Sequence, residues 1–183
     1  ALLLLIIIVI GMYNTLVRKR VDVDNAWSQI DVQLKRRYDL IPNLVETVKG
    51  YAKHEAGTLE AVIKARNAAV SVAGAEGGGA GNVAARAEAE GVLGQALGRL
   101  FALSEAYPDL KANTNFLGLQ EELSSTENKI GFSRQHYNDT VARYEESRQT
   151  FPSSVIAGAF NFQKRDYFEV KDAAAREAPK VSF

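Results

Sequence analysis

No cysteine occurs in the 183 residues, so the chain has no disulfide framework, no thiolate zinc site and no cysteine nucleophile. That absence removes chemistry without fixing a compartment. An excess of one charge is missing too, since 22 basic side chains stand against 22 acidic ones. Zero net charge removes the positive field with which most nucleic-acid binders gather phosphates, and no nucleic-acid partner is expected. Histidine is scarce. His54-Glu55 is not followed by a second His at the spacing that puts two zinc ligands on one helical face, and His136 stands alone. Glu121, Glu122 and Glu127 are spaced as a solvated helix face, without the Glu-x-x-His pairs of a four-helix di-metal site. The glycine-rich run at 74–81 lacks the Lys-Ser/Thr pair of a phosphate cradle and reads as a helix connection. We therefore expect no cofactor, no metal and no enzyme.

Charge is absent altogether from the first 17 residues, of which eleven are Leu, Ile or Val. Each of those favours membrane insertion by about 0.3–0.6 kcal/mol. Seventeen helical residues reach about 25 Å, slightly short of a hydrocarbon core. Because the chain opens on Ala1 rather than Met, the apolar run is read as beginning further upstream. Residues 1–17, with Leu2, Leu5, Ile8 and Ile10 facing lipid, are expected to form a transmembrane helix and to make the lipid bilayer a partner. Arg18, Lys19 and Arg20 follow directly. A cleaved signal would instead show a basic region before the apolar run and a small-residue site after it. The basic trio predicts a single-pass protein with its main domain in the cytoplasm.

What remains, 166 residues of which roughly 27% are charged, suits one folded domain plus a small appendage. Apolar residues recur in steps of four and three at Val23, Trp27, Ile30 and Leu34, then at Ile41, Leu44, Val48 and Tyr51. Arg37 interrupts this stripe and calls for a carboxylate partner or a snorkelling geometry. Pro42 fits either a turn or a kink, and the surviving seven-residue frame favours the kink. The helical pattern continues through Leu59, Val62 and Ile63 to about Val72, carrying Gly50 and Gly57 at about 1 kcal/mol each. A shorter helix over 84–106 presents Leu93, Leu97, Leu100 and Phe101, and Tyr107-Pro108-Asp109 reads as a turn.

The clearest pattern starts at Asn113. Phe116, Leu123, Ile130, Tyr137, Tyr144 and Phe151 follow one another at intervals of seven. Trp27, Ile30 and Leu34 with Phe116, Leu123, Ile130, Tyr137 and Tyr144 form the expected core of a bundle over 18–151. After Pro152, residues 152–183 read as a short apolar helix and a tail. Val155, Ile156, Phe160 and Phe162 make an apolar patch that fits the bundle end or a membrane surface, with Lys164 and Arg165 near lipid phosphates. Tyr167, Phe168 and Val170 read as an extended stretch, and 172–177 as a loose helix.

Tyr13-Asn14-Thr15-Leu16-Val17, the stretch from Arg20 to Glu55 and Thr126-Glu127-Asn128-Lys129-Ile130 together resemble the LemA family of bacterial membrane-anchored proteins. The most specific part runs from Ala26-Trp27-Ser28-Gln29-Ile30 to Leu40-Ile41-Pro42-Asn43-Leu44-Val45. Tyr107-Pro108-Asp109-Leu110-Lys111-Ala112, Tyr137-Asn138-Asp139 and Phe151-Pro152 fit as well, while Gly131-Phe132 departs from the small residues expected there. The resemblance implies an all-α fold, with one N-terminal transmembrane helix followed by an elongated antiparallel four-helix bundle, and a real break near Pro42. It implies no catalytic activity. Its associations include membrane-embedded heat-shock metalloproteases and membrane remodelling around magnetosomes. A one-helix anchor, long seams with polar positions and no catalytic constellation fit a scaffold that self-associates as a homo-oligomer, the alternative being a regulatory adaptor of a membrane metalloprotease.

Overall fold

The computed structural model describes residues 2–74 and 82–170; the glycine-rich connection from 75 on and the expected loose helix at 172–177 lie outside them. The described residues form six helices and no strand: α1 (Leu2–Tyr51), α2 (Ala56–Gly74), α3 (Val83–Ser104), α4 (Pro108–Lys111), α5 (Thr114–Gln149) and α6 (Ser153–Ala159). One long helix, apolar at its start, is followed by a helical bundle.

Two units divide the chain. The first holds α1 up to Arg37, α5 from Glu122, α6 and the segment to Phe168. Here α5 runs antiparallel to α1. Lys19 Nζ donates to the Arg143 carbonyl at 3.1 Å, the Trp27 and Tyr137 rings lie 5.4 Å apart, and Arg36 meets Glu122 at 2.7 Å. Leu16, Val23, Trp27, Ile30 and Leu34 of α1 are buried, as are Leu123, Ile130, Tyr137, Val141 and Tyr144 of α5. Thr126 and Thr140, also buried, return their hydroxyls to the carbonyls of Glu122 and His136, so small polar seam positions leave no donor unsatisfied. Arg37 is buried on the seam and reaches Glu127 at 3.2 Å, giving it a carboxylate at the bundle edge.

The second unit takes the rest of α1, then α2, α3, α4 and the start of α5. Asn82 caps α3 by accepting from the Ala85 N–H, and Asn113 caps α5 by accepting from Phe116 N–H, the usual way to satisfy the first orphan donors of a helix. α2 and α3 pack on one another, and alanines are among the residues each buries, Ala65 and Ala69 on α2 and Ala87 and Ala96 on α3. Phe116 is buried beside Phe101. Tyr38 donates to buried Glu90, with Arg86 beside them, and Arg66 Nε donates to the Tyr38 carbonyl at 2.8 Å. Burial first, and then the Glu90 carboxylate, push the Tyr38 hydroxyl far above its ordinary range.

Five expectations are corrected. No break occurs at Pro42, which lies inside α1. Pro42 is exposed while Ile41, Leu44 and Val45 are buried, so the ring faces solvent and the seam holds the helix together through the missing N–H. The turn falls instead at 52–55, between Gly50 and Gly57, where the polar Lys53-His54 offers nothing to bury; Tyr51, read as a stripe position, is exposed there. Ile63 likewise faces out from α2. Tyr107-Pro108-Asp109 opens a one-turn helix, with Pro108 at its first position, where no N–H is needed. Phe151 leaves the seven-residue frame because α5 ends at Gln149, and it is 79% exposed.

Candidate membrane-proximal site

Within the first unit, the antiparallel register of α1 and α5 carries the C-terminal end of α5 back to the level of the uncharged run. The chain then turns through Phe151-Pro152 into α6, and the Phe160 and Phe162 rings lie 4.9 and 5.7 Å from that of Tyr13. Arg20 stands over the Phe162 ring at 5.3 Å. The uncharged stretch of α1 therefore meets α6 at its last turns, not at its start.

Leu2, Leu5, Ile8 and Ile10 are all exposed, and α1 contains a window long and apolar enough to cross a membrane. Leu16 is the first residue of the run to be buried. Arg18 and Arg20 are exposed and Lys19 half-buried against α5. The apolar patch expected after Pro152 is split. Val155 is 61% and Phe160 55% exposed, Ile156 is half-buried, and Phe162 at 6% belongs to the interior.

That split has a local cause. Asn161 takes a left-handed φ of 54°, its N–H donates to Gly158, and Phe162 N–H donates to the Ala157 carbonyl at 2.9 Å. This is the Schellman ending of a helix, which Asn supports almost as well as Gly, and it brings Phe162 and Ala157 inward together. Phe151, assigned from the sequence to the seam, is a further exposed aromatic besides Phe160. Its only signal was the proline after it, which ends the frame.

From Phe162 the chain runs extended along α5, and α5 side chains take the place of a neighbouring strand. Tyr144 donates to the Gln163 carbonyl at 2.8 Å, Glu145 accepts from Arg165 N–H at 2.9 Å, and Tyr137 donates to the Asp166 carbonyl at 2.9 Å. Asn138 then both accepts from Phe168 N–H and donates to its carbonyl. Partners on α5 step back by seven residues as the strap advances by three. Seven helical residues rise about 10.5 Å and three extended ones about 10 Å, so the two repeats stay in step. Phe168 is thereby set against Trp27, 5.7 Å between rings, and Arg165 reaches Asp24 at 3.0 Å.

The electrostatics follow from this packing. Burial pushes the Glu145 carboxyl up, but Arg148, the Arg165 N–H and Gln149 together outweigh it and hold it below the usual range. Burial, partly opposed by Arg165, raises the Tyr137 hydroxyl to about 12, so it stays a donor to the strap at any ordinary pH. A hollow of about 400 Å³ on this unit is lined by Lys19, Asp22, Asn25, Gln29, His136 and Arg143, with Asp22 the one carboxylate of its lining. Among the described residues, no three His, Cys, Asp or Glu side chains converge to hold a metal ion.

These features define an all-α protein whose one long N-terminal helix can cross a membrane by length and composition. The chain belongs to the LemA family, whose profile matches residues 26–183. It is 26% identical to magnetosome protein MamQ 2 of Paramagnetospirillum magneticum and 28% identical to magnetosome protein MamQ of Magnetospirillum gryphiswaldense, in each case over 88% of this chain and 66% of the relative. The chain thus spans 66% of the length of these magnetosome proteins. Protein LemA of Metamycoplasma hominis is 26% identical over 94% of this chain and 73% of its own length.

Proposed function

We propose that the protein is a non-enzymatic, membrane-anchored scaffold that self-associates at the bilayer and presents its helical bundle to partners. The observation that carries this reading is α1 itself. Its first turns expose Leu and Ile side chains, and the same unbroken helix goes on to supply the buried seam from Leu16. An anchor built that way holds the folded part directly at the bilayer. The basic trio Arg18-Lys19-Arg20 supports an inner-membrane location with the bundle in the cytoplasm. Kinship with magnetosome proteins supports a role at a membrane. Native mass analysis after mild detergent extraction, with the anchor intact, tests the proposal. A large particle containing only this chain is the expected result. A monomer, or a complex dominated by a membrane metalloprotease, overturns the scaffold and makes the protein a regulatory adaptor of that enzyme.

A further inference from the structure

The membrane-anchoring part of that reading leaves one element without a task, the short helix after Pro152. We infer that α6 is a second membrane contact, a foot that lies on the phospholipid surface beside the anchor.

Three observations carry this. The first is position: the Phe160 ring packs on Tyr13, so α6 lies where the uncharged run gives way to Arg18-Lys19-Arg20. If α1 crosses the bilayer, that level is the boundary between hydrocarbon and headgroups. The second is the division of the α6 faces. Ala157 is buried, whereas Val155 and Ala159, four residues apart and therefore on one side of the helix, are exposed, as are Phe151 before it and Phe160 after it. Seven residues are too few to hold a helix by propensity alone, so α6 depends on what it packs against. The third is continuity and charge. The exposed apolar surface of α6 runs on from that of the anchor through Tyr13. Arg20 beside Phe162, and exposed Lys164 two residues further on, supply the basic rim that suits lipid phosphates. An apolar face bounded by an anchor on one side and cations on the other matches a bilayer surface better than it matches a protein groove.

The absence of cysteine makes the test clean, because a single introduced thiol is the only labelling site. Full-length Val155→Cys, Phe151→Cys, Ile8→Cys and Ser28→Cys would each carry a bimane label and be reconstituted in vesicles of phosphatidylcholine and phosphatidylglycerol. Quenching is then read with spin-labelled lipid bearing its nitroxide near the headgroup, and with aqueous iodide. Ile8 reports the anchor, and Ser28, about 12 Å beyond the basic trio along the helix, reports water. We expect the labels at 155 and 151 to be quenched by the spin-labelled lipid several-fold more than the label at 28, and to be shielded from iodide. If both behave like the label at 28 while the label at 8 still senses lipid, the foot is overturned and the anchor stands. Shielding of 155 and 151 from lipid and iodide alike overturns the foot in favour of a second copy covering α6. A label at 8 that does not sense lipid overturns anchoring and foot together. Val155 and Phe151 are exposed, so these substitutions leave the interior intact.

Discussion

The two units solve the same problem, how to satisfy a buried backbone, in different ways. In the second unit the backbone is nearly all helical and bonds to itself, so side chains are left to pack. Alanines are among the side chains that α2 and α3 bury, and buried polarity is concentrated at Tyr38, Arg86 and Glu90. In the first unit a stretch of extended chain has no strand beside it, and α5 side chains supply what a sheet would have given. Tyr137, Asn138, Tyr144 and Glu145 therefore act through their polar ends as much as through their bulk. The comparison teaches that aromatic residues at seam spacing can be fasteners as well as filling.

The largest expected effect is at Trp27, where the strap, α5 and α1 meet. Trp27→Ala should lower stability by about 3–5 kcal/mol in denaturant titrations of the full chain in detergent, followed by circular dichroism, because it removes the ring on which Tyr137 and Phe168 rest. An effect below 1 kcal/mol would remove the contrast between the units. In the second unit, Tyr38→Phe leaves buried Glu90 short of a donor and should cost about 1–3 kcal/mol by the same titration. Asn138→Ala removes two bonds to Phe168 and should cost about 1–2 kcal/mol. Its clearer signature is local, faster hydrogen exchange of the Phe168 amide with that of α2 and α3 unchanged.

Acid should act on the same fastener. Because the folded-state pKa of Glu145 lies below its unfolded value, its contribution is complete at neutral pH and is lost as pH falls from about 4.3 through the folded value. Exchange of the Arg165 amide should rise over that window, and Glu145→Gln should flatten the dependence. The smallest effects test whether the contrast is confined to the fasteners. Gly118 and Gly131 lie on α5, one in each unit, and a Cβ at either meets nothing within 4 Å. Alanine at each should raise stability by up to about 1 kcal/mol, equally in both units.

Much of this was legible because helical burial repeats. The seven-residue spacing places Phe116, Leu123, Ile130, Tyr137 and Tyr144 on one face, and all are buried. Where periodicity stops, legibility stops too. Pro42 read as the place for a break because a lost N–H is a local signal, whereas the neighbouring buried side chains that override it come from elsewhere in the chain. The turn at 52–55 has no proline to announce it. Phe151 kept the spacing but lost the helix. The strap was readable as extended at Phe168, but its fastening was not, since Asn138 and Glu145 look like ordinary surface residues of an amphipathic helix until residues twenty to thirty positions later fold back onto them.

The continuity of α1 from the exposed leucines to Leu16, Val23 and Ile30 has a mechanical consequence. The exposed apolar surface and the buried seam share one rigid screw, in which each residue turns the direction of a side chain by about 100°. The angular phase between anchor and seam is thus set by the number of residues that separate them. Adding one residue after Val17 would twist the first unit by that angle about the anchor axis, whereas adding seven would nearly restore its bearing while raising it about 10 Å. If α1 is anchored in a bilayer, whatever rotates it there must turn α5 and the strap with it.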